Sequence, residues 1–212
     1  MIYSYGEKEI SYLKRKDKKL AEVIDRVGHI EREMETDLFS AVVHNIVGQQ
    51  ISMAAQETIW KRLLDKIPEV KADTILSLSR EDLKSMGVSF RKADYILDFA
   101  GKVQGGKFEM DALYEMEDED VIKALTSLKG IGVWTAEMIM IFCMGRTDVV
   151  SYGDLGIQRG MRMLYRHRVI DKDKFRKYAK RYSPYGTVAS FYLWAISGGV
   201  IPELTDPSVK KK

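Results

Sequence analysis

Between two stretches of helical periodicity lies a short loop bracketed by glycine, Lys129-Gly130-Ile131-Gly132-Val133. It constrains this chain more than any other segment, because so short a connection turns its two helices back on each other as a hairpin. Glycine at both flanks lets the backbone take positive φ and lets another molecule come close. The amides opening the second helix lack helical partners and sit at the positive end of its dipole, so they suit an anionic oxygen. A tight turn with no ligand would use the same glycines. About twenty residues later comes Ser151-Tyr152-Gly153-Asp154, a carboxylate in a mostly apolar, glycine-flanked stretch. Together the two segments point to a chain that grips a nucleic-acid phosphate and does chemistry beside it.

The rest of the chain reads as helix. Leu38, Val42 and Ile46 form one stripe over 38–47, with Asp37 in position to cap it. Further helices are expected over 53–64 and 91–103, the second stopped by Gly105-Gly106. Ser79 and Asp82 have capping-box spacing, for a short helix ending at Gly87. The segment 118–128 aligns Val121, Leu125 and Leu128, while 134–144 is apolar almost all round, as suits a helix in the middle of a bundle. Helices over 155–165, 174–182 and 185–197 complete the set, the last ending at Gly198-Gly199. Only 148–152 could be extended, and the tail Lys210-Lys211-Lys212 is expected to be disordered. The pattern predicts an all-α protein: a two-lobed helical bundle with a cleft between the lobes. It forms one domain over 1–212, with one lobe near 37–150, hairpin 128–134 included, and the other from about 1–36 plus 151–205.

Composition excludes several classes. No apolar run approaches membrane-spanning length, and Met1 leads into a polar, charged segment rather than a signal peptide, so a cytoplasmic protein is expected. A single cysteine, Cys143, can neither form an internal disulfide nor ligate an iron–sulfur cluster alone, and reads as a buried core thiol. The net charge of +3 hides an uneven distribution. Ten Lys and Arg lie between 157 and 182 against only Asp171 and Asp173, whereas 109–120 holds seven carboxylates and no base. This fits one basic face turned toward a polyanion, although solvated helix faces would look the same.

The string LKGIGVWTAEM with YGDLGIQRG downstream closely resembles the helix–hairpin–helix DNA glycosylases. Within them it is most similar to the alkylation-repair branch, DNA-3-methyladenine glycosylase II. Upstream, Ile46-Val47-Gly48-Gln49-Gln50-Ile51-Ser52 matches that family's segment entering the minor groove, and the likeness runs from about Phe39 to Ser197. Too few residues precede Phe39 for the β-rich domain of the longer bacterial members, so the compact form is expected.

The resemblance implies a monofunctional enzyme that flips alkylated purines such as 3-methyladenine and 7-methylguanine out of duplex DNA. It would hydrolyse their N-glycosidic bonds and leave abasic sites for base excision repair. Asp154 takes the family's catalytic position, where a carboxylate stabilises positive charge developing on the sugar and can direct water. The same aspartate could also cap the helix that begins at Leu155. Members with lyase activity carry a nucleophilic lysine where this chain has Trp134, so no Schiff base is expected. Trp134 and Trp194 fall on base-pocket positions, with Tyr152, Tyr185 and Tyr192 close by. Met138 stands where the best-known bacterial enzyme has a pocket tyrosine. Either Gln49 or Gln50 would fill the gap left by the flipped nucleotide. Lys129, Gly130, Gly132, Val133 and Arg159 would hold DNA phosphates, with Arg162 a further contact, and His44 reads as a semi-buried core histidine. The family's hairpin often holds a monovalent cation, here through the backbone carbonyls of Thr126, Leu128 and Ile131; no other cofactor is expected. The implied partner of this monomer is damaged double-stranded DNA, with no membrane. Ethenoadenine, hypoxanthine or mismatched bases are alternative substrates, and a non-catalytic DNA-binding module is the alternative from another class.

Overall fold

In the computed structural model, residues 1–208 are described; the lysine tail at 210–212 lies outside them. Among the described residues there are twelve α-helices, one 3-10 turn at Asp111–Glu115 and no strand, the only β pairing being a bridge between Ile2 and Glu33. The segment 148–152 is therefore not extended sheet. The chain divides into two compact units, Met1–Met34 with Met140–Lys212, and Glu35–Ile139.

The first unit opens with α1 (Glu7–Lys16) and α2 (Lys18–Val27). Asp17 separates them: its extended backbone ends α1, and its carboxylate accepts the amides of Lys19 and Leu20 at 3.0 Å to cap α2.

The second unit holds α3 (Leu38–Gly48), α4 (Met53–Lys66), α5 (Ala72–Leu76), α6 (Arg80–Ser85), α7 (Phe90–Gln104), α8 (Asp118–Thr126) and most of α9 (Val133–Phe142). Asp37, Ser52, Ser79 and Ser89 cap α3, α4, α6 and α7 with their side chains. The core gathers Val42, Val43 and Ile46 of α3 with Ile96 and Phe99 of α7, where Phe39 stacks on Phe99 at 4.8 Å. One expectation needs correcting. The first two residues of α9, Val133 and Trp134, are 55% and 47% exposed, and the helix enters the core from Thr135 on.

In the first unit, α10 (Leu155–Tyr165), α11 (Lys172–Tyr182) and α12 (Gly186–Ser197) complete the set. Both α9 and α12 are apolar nearly all round, and α12 is the more deeply buried, with Phe191, Tyr192 and Leu193 fully enclosed. Two glycines of α10 explain how closely α12 approaches. A Cβ at Gly160 would fall 2.2 Å from the Leu193 carbonyl oxygen, and one at Gly156 would fall 2.9 Å from the Trp194 ring. The division falls at 139/140 rather than near 150 because the intervening loop bonds to α12: Thr187 N donates to Thr147 O at 3.0 Å and Gly186 N to Asp148 at 3.0 Å.

Candidate active site and binding loops

Asp154 stands immediately before α10, and the expectation that it caps this helix holds. Its Oδ1 accepts the Ile157 amide at 2.8 Å and the Trp194 indole N–H at 2.9 Å. The glycine of the motif makes the second bond possible, since any side chain at Gly156 would meet the indole. Gln158 then donates to the Tyr152 carbonyl at 2.6 Å, tying the preceding turn to the same helix. The outcome is a carboxylate with only 8% of its residue surface exposed, fixed in direction by two donors and by the helix start.

The aromatic residues expected beside it divide by environment. Trp194 stacks on Phe142 at 5.7 Å and spends its N–H on Asp154, so it orients the carboxylate as well as filling space. Tyr152 packs edge-on against Phe175 at 5.0 Å. Tyr192 is fully buried and donates to the Gly28 carbonyl at 2.9 Å, and Tyr185 meets Tyr12 edge-on at 5.2 Å. Burial makes Tyr192 a scaffold residue, whereas Tyr185 is half-buried. In the second unit Trp134 presents an exposed indole at the head of α9, while Met138, one turn on, is buried.

The hairpin's two glycines have different reasons to be there. Gly130 has φ +86°, and a Cβ there would lie 2.4 Å from the Tyr95 ring, so the fold itself demands glycine. Gly132 has neither constraint: nothing lies within 4 Å of its would-be Cβ. Its bareness leaves the start of α9 open to an approaching group. The carbonyls of Thr126, Leu128 and Ile131 lie at and beyond the end of α8, where helical donors run out. Leu128 O accepts the Ile131 amide at 3.1 Å. An all-carbonyl set of this kind fits a hard monovalent cation. Lys129 is held by Asp98 at 2.8 Å, which draws Asp98 below the usual carboxylate range.

At the end of α3 the two glutamines also part ways. The Gln49 side chain turns inward and donates to the Gly130 carbonyl at 2.6 Å, joining this loop to the hairpin. Gln50 is exposed and adopts φ +57°, left-handed geometry that favours glycine and costs a residue with a side chain about 1–2 kcal/mol. Gly48 makes room for Gln56, whose amide donates to the His44 carbonyl at 2.9 Å. His44 lies against Trp60 at 4.6 Å, and burial lowers its pKa, as its semi-buried reading requires. One contact of this loop has no counterpart in the sequence reading. Lys92 of α7 donates from Nζ to the carbonyls of Val47 at 2.8 Å and Gln49 at 2.6 Å, and no short motif announces it.

The basic stretch is not one uniform face. Arg162 makes two bonds to Asp206, at 3.0 and 2.6 Å, and Arg159 lies 3.8 Å from the same carboxylate. Lys174 pairs with Asp171, Arg176 with Asp173 and Arg181 with Asp17. Lys177 and Lys180 are exposed and have no carboxylate partner among the described residues.

Several known proteins share this sequence pattern and fold. Residues 43–184 match the family described as HhH-GPD superfamily base excision DNA repair protein. The Bacillus subtilis protein YfjP is 29% identical over 173 residues, covering 76% of this chain, which spans 59% of that protein's length. Among solved structures, a DNA-3-methyladenine glycosidase from Bacillus halodurans superposes with a TM-score of 0.86 at 35% identity, covering 96% of this chain and 95% of its own. The Schizosaccharomyces pombe 3-methyladenine DNA glycosylase Mag1, in complex with abasic DNA, gives 0.78 at 26% identity, over 91% of this chain and 97% of its own. The chain belongs to the HhH-GPD superfamily of base excision DNA repair proteins.

Proposed function

We propose that this chain is a monofunctional DNA glycosylase that removes alkylated purines from duplex DNA. The observation that carries this reading is the Asp154 carboxylate, held at the start of α10 by the Ile157 amide and the Trp194 indole. A purine methylated at N3 or N7 bears positive charge, so when its bond to C1′ breaks the electron pair goes to the base, which departs neutral. The sugar is left as an oxocarbenium ion, and a fixed carboxylate beside it stabilises that charge. Water then bonds to C1′ and gives up a proton, with Asp154 as acceptor, yielding an abasic site. No lysine stands at position 134 to compete with water, so the strand stays intact.

The exposed indole of Trp134 suits a cationic base through its ring face. Val133, Gly132 and the first turn of α9 suit a DNA phosphate by their backbone, and Gln50, already turned outward, suits the gap in the stack. The carbonyls of Thr126, Leu128 and Ile131 would hold a monovalent cation there, which would add positive charge near the phosphate. That two similar structures are named for 3-methyladenine supports methylated purines, rather than deaminated or mismatched bases, as the substrate class here.

The test is base release from methylated duplex DNA, with 3-methyladenine and 7-methylguanine separated chromatographically. Free 3-methyladenine, with strands that break only on later alkali treatment, is expected. Strand scission without alkali, with a borohydride-trapped adduct, would overturn the monofunctional assignment, and release of neither base would overturn the substrate class.

A further inference from the structure

A single face of α7 reaches both loops that the proposed function gives to DNA. Lys92, Tyr95 and Asp98 are spaced three residues apart, which sets them on one side of the helix. Lys92 donates to the Val47 and Gln49 carbonyls at the end of α3, at 2.8 and 2.6 Å. Tyr95 packs on Gly130 where a side chain would otherwise stand. Asp98 takes Lys129 at 2.8 Å and Lys102 at 2.9 Å. The Gln49 amide closes the circuit by donating to Gly130 O at 2.6 Å.

We infer that Lys92 is a positioning residue: its ammonium holds the Gln49 carbonyl and thereby keeps Gln50 in the outward, left-handed conformation needed to enter the base stack. Three features carry this. The strained residue directly follows the carbonyl that Lys92 grips, and strained backbone persists only where its surroundings over-determine it. A cation at the C-terminal end of α3 also meets the negative end of that helix's dipole. Only a compact group with several donors can satisfy two converging carbonyls at once, and lysine's ammonium has three. The site is partly desolvated, and burial lowers the Lys92 pKa, yet the side chain remains where its two acceptors are. Lys92 touches neither base nor sugar in this scheme and acts through Gln50.

This inference rests on the glycosylase reading, and the experiment separates the two. Single-turnover release of one methylated purine is compared between duplex and single-stranded DNA, because only the duplex needs its gap filled. Lys92→Met is expected to slow release from the duplex by about ten-fold, as a misplaced positioning group does, and to leave the single-strand rate within about two-fold. Lys92→Arg should recover part of the loss. Combining Lys92→Met with Gln50→Ala should be no slower than the slower single variant, since both remove the same contribution. Equal losses on both DNAs, or effects that multiply, would overturn the inference. Should Lys92→Met fail to fold, Lys92→Leu, which also removes every donor, takes its place in every comparison. A fluorescent 2-aminopurine next to an abasic site in a duplex reads the loop without catalysis. The unsubstituted chain should unstack the probe and Lys92→Met should not; an identical signal from both overturns the inference even if no base is ever released.

Discussion

Because Asp154 accepts the Ile157 amide and the Trp194 indole on one oxygen, helix capping and aim of the carboxylate are properties of the same bonds. Asp154→Asn separates charge from shape. Asparagine caps as well as aspartate, so thermal stability and duplex affinity should hardly change. Base release should fall about 10²–10⁴-fold, the range for losing a positioned acid–base or electrostatic group. Trp194→Phe keeps the stack on Phe142 and removes only the N–H, and is expected to slow release about ten-fold without weakening DNA binding. A loss of binding instead, with the saturated rate intact, would make Trp194 a pocket wall and nothing more. At this scale the motif residues were legible because the YGD string is distinctive. The Trp194 bond was not, since it joins side chains 40 positions apart and no local pattern records it. Gln49 and Gln50 were inseparable by type, and only backbone conformation and the Gly130 carbonyl tell them apart.

Most helices are legible in the sequence from an apolar stripe, a capping residue or, as for α9 and α12, an apolar run bounded by glycines. The bounds of α10 were predicted to the residue, and α3, α6 and α7 to within two, each with its cap visible. The pair α1 and α2, and the short α5, have no counterpart in the sequence reading. In α1 and α2 a run of Lys, Glu and Arg hides a stripe of Leu13, Leu20, Val23 and Ile24, interrupted at Asp17, where the chain breaks and restarts. The segment after α12 was likewise opaque, yet it pins α10 through Asp206, whose side chain is 6% exposed and holds Arg162 by two bonds. That guanidinium keeps Asp206 well below the usual carboxylate range. A depressed folded pKa means stability that is whole above the unfolded value, about 3.9, and drains away as pH falls toward the folded one. Breaking the pair by Asp206→Asn should cost about 2 kcal/mol at pH 7, discounted for the partly exposed Arg162, and lower Tm by about 4–8 °C. The gap between the two proteins should hold from pH 7 to about 5 and narrow below about pH 4. A gap equally wide at pH 3 would locate the loss elsewhere than in the ion pair.

For the whole molecule, a net charge of +3 is a poor guide to DNA affinity, because many cations already have partners. Arg162, Lys174, Arg176 and Arg181 are each held by a carboxylate, so a phosphate must compete for them. Arg15, Lys16, Lys18 and Lys19, in the α1–α2 corner, are exposed without one among the described residues, as are Lys177 and Lys180 on α11. The sequence showed the excess of charge but could not show this sorting, which depends on carboxylates brought in from distant positions such as Asp17 and Asp206. Backbone amides at the hairpin bind phosphate too, yet neutralise no charge, whereas each lysine that does so releases a counterion. For about five such contacts, the logarithm of duplex affinity should fall against the logarithm of salt with a slope near −4.5. Lys129 tests the sorting directly, because it would have to leave Asp98 to meet DNA. If it does, Lys129→Met should make the slope shallower by about one and weaken binding alike on every sequence. An unchanged slope would mean that the Asp98 pair survives in the complex and that the hairpin holds phosphate by its backbone alone.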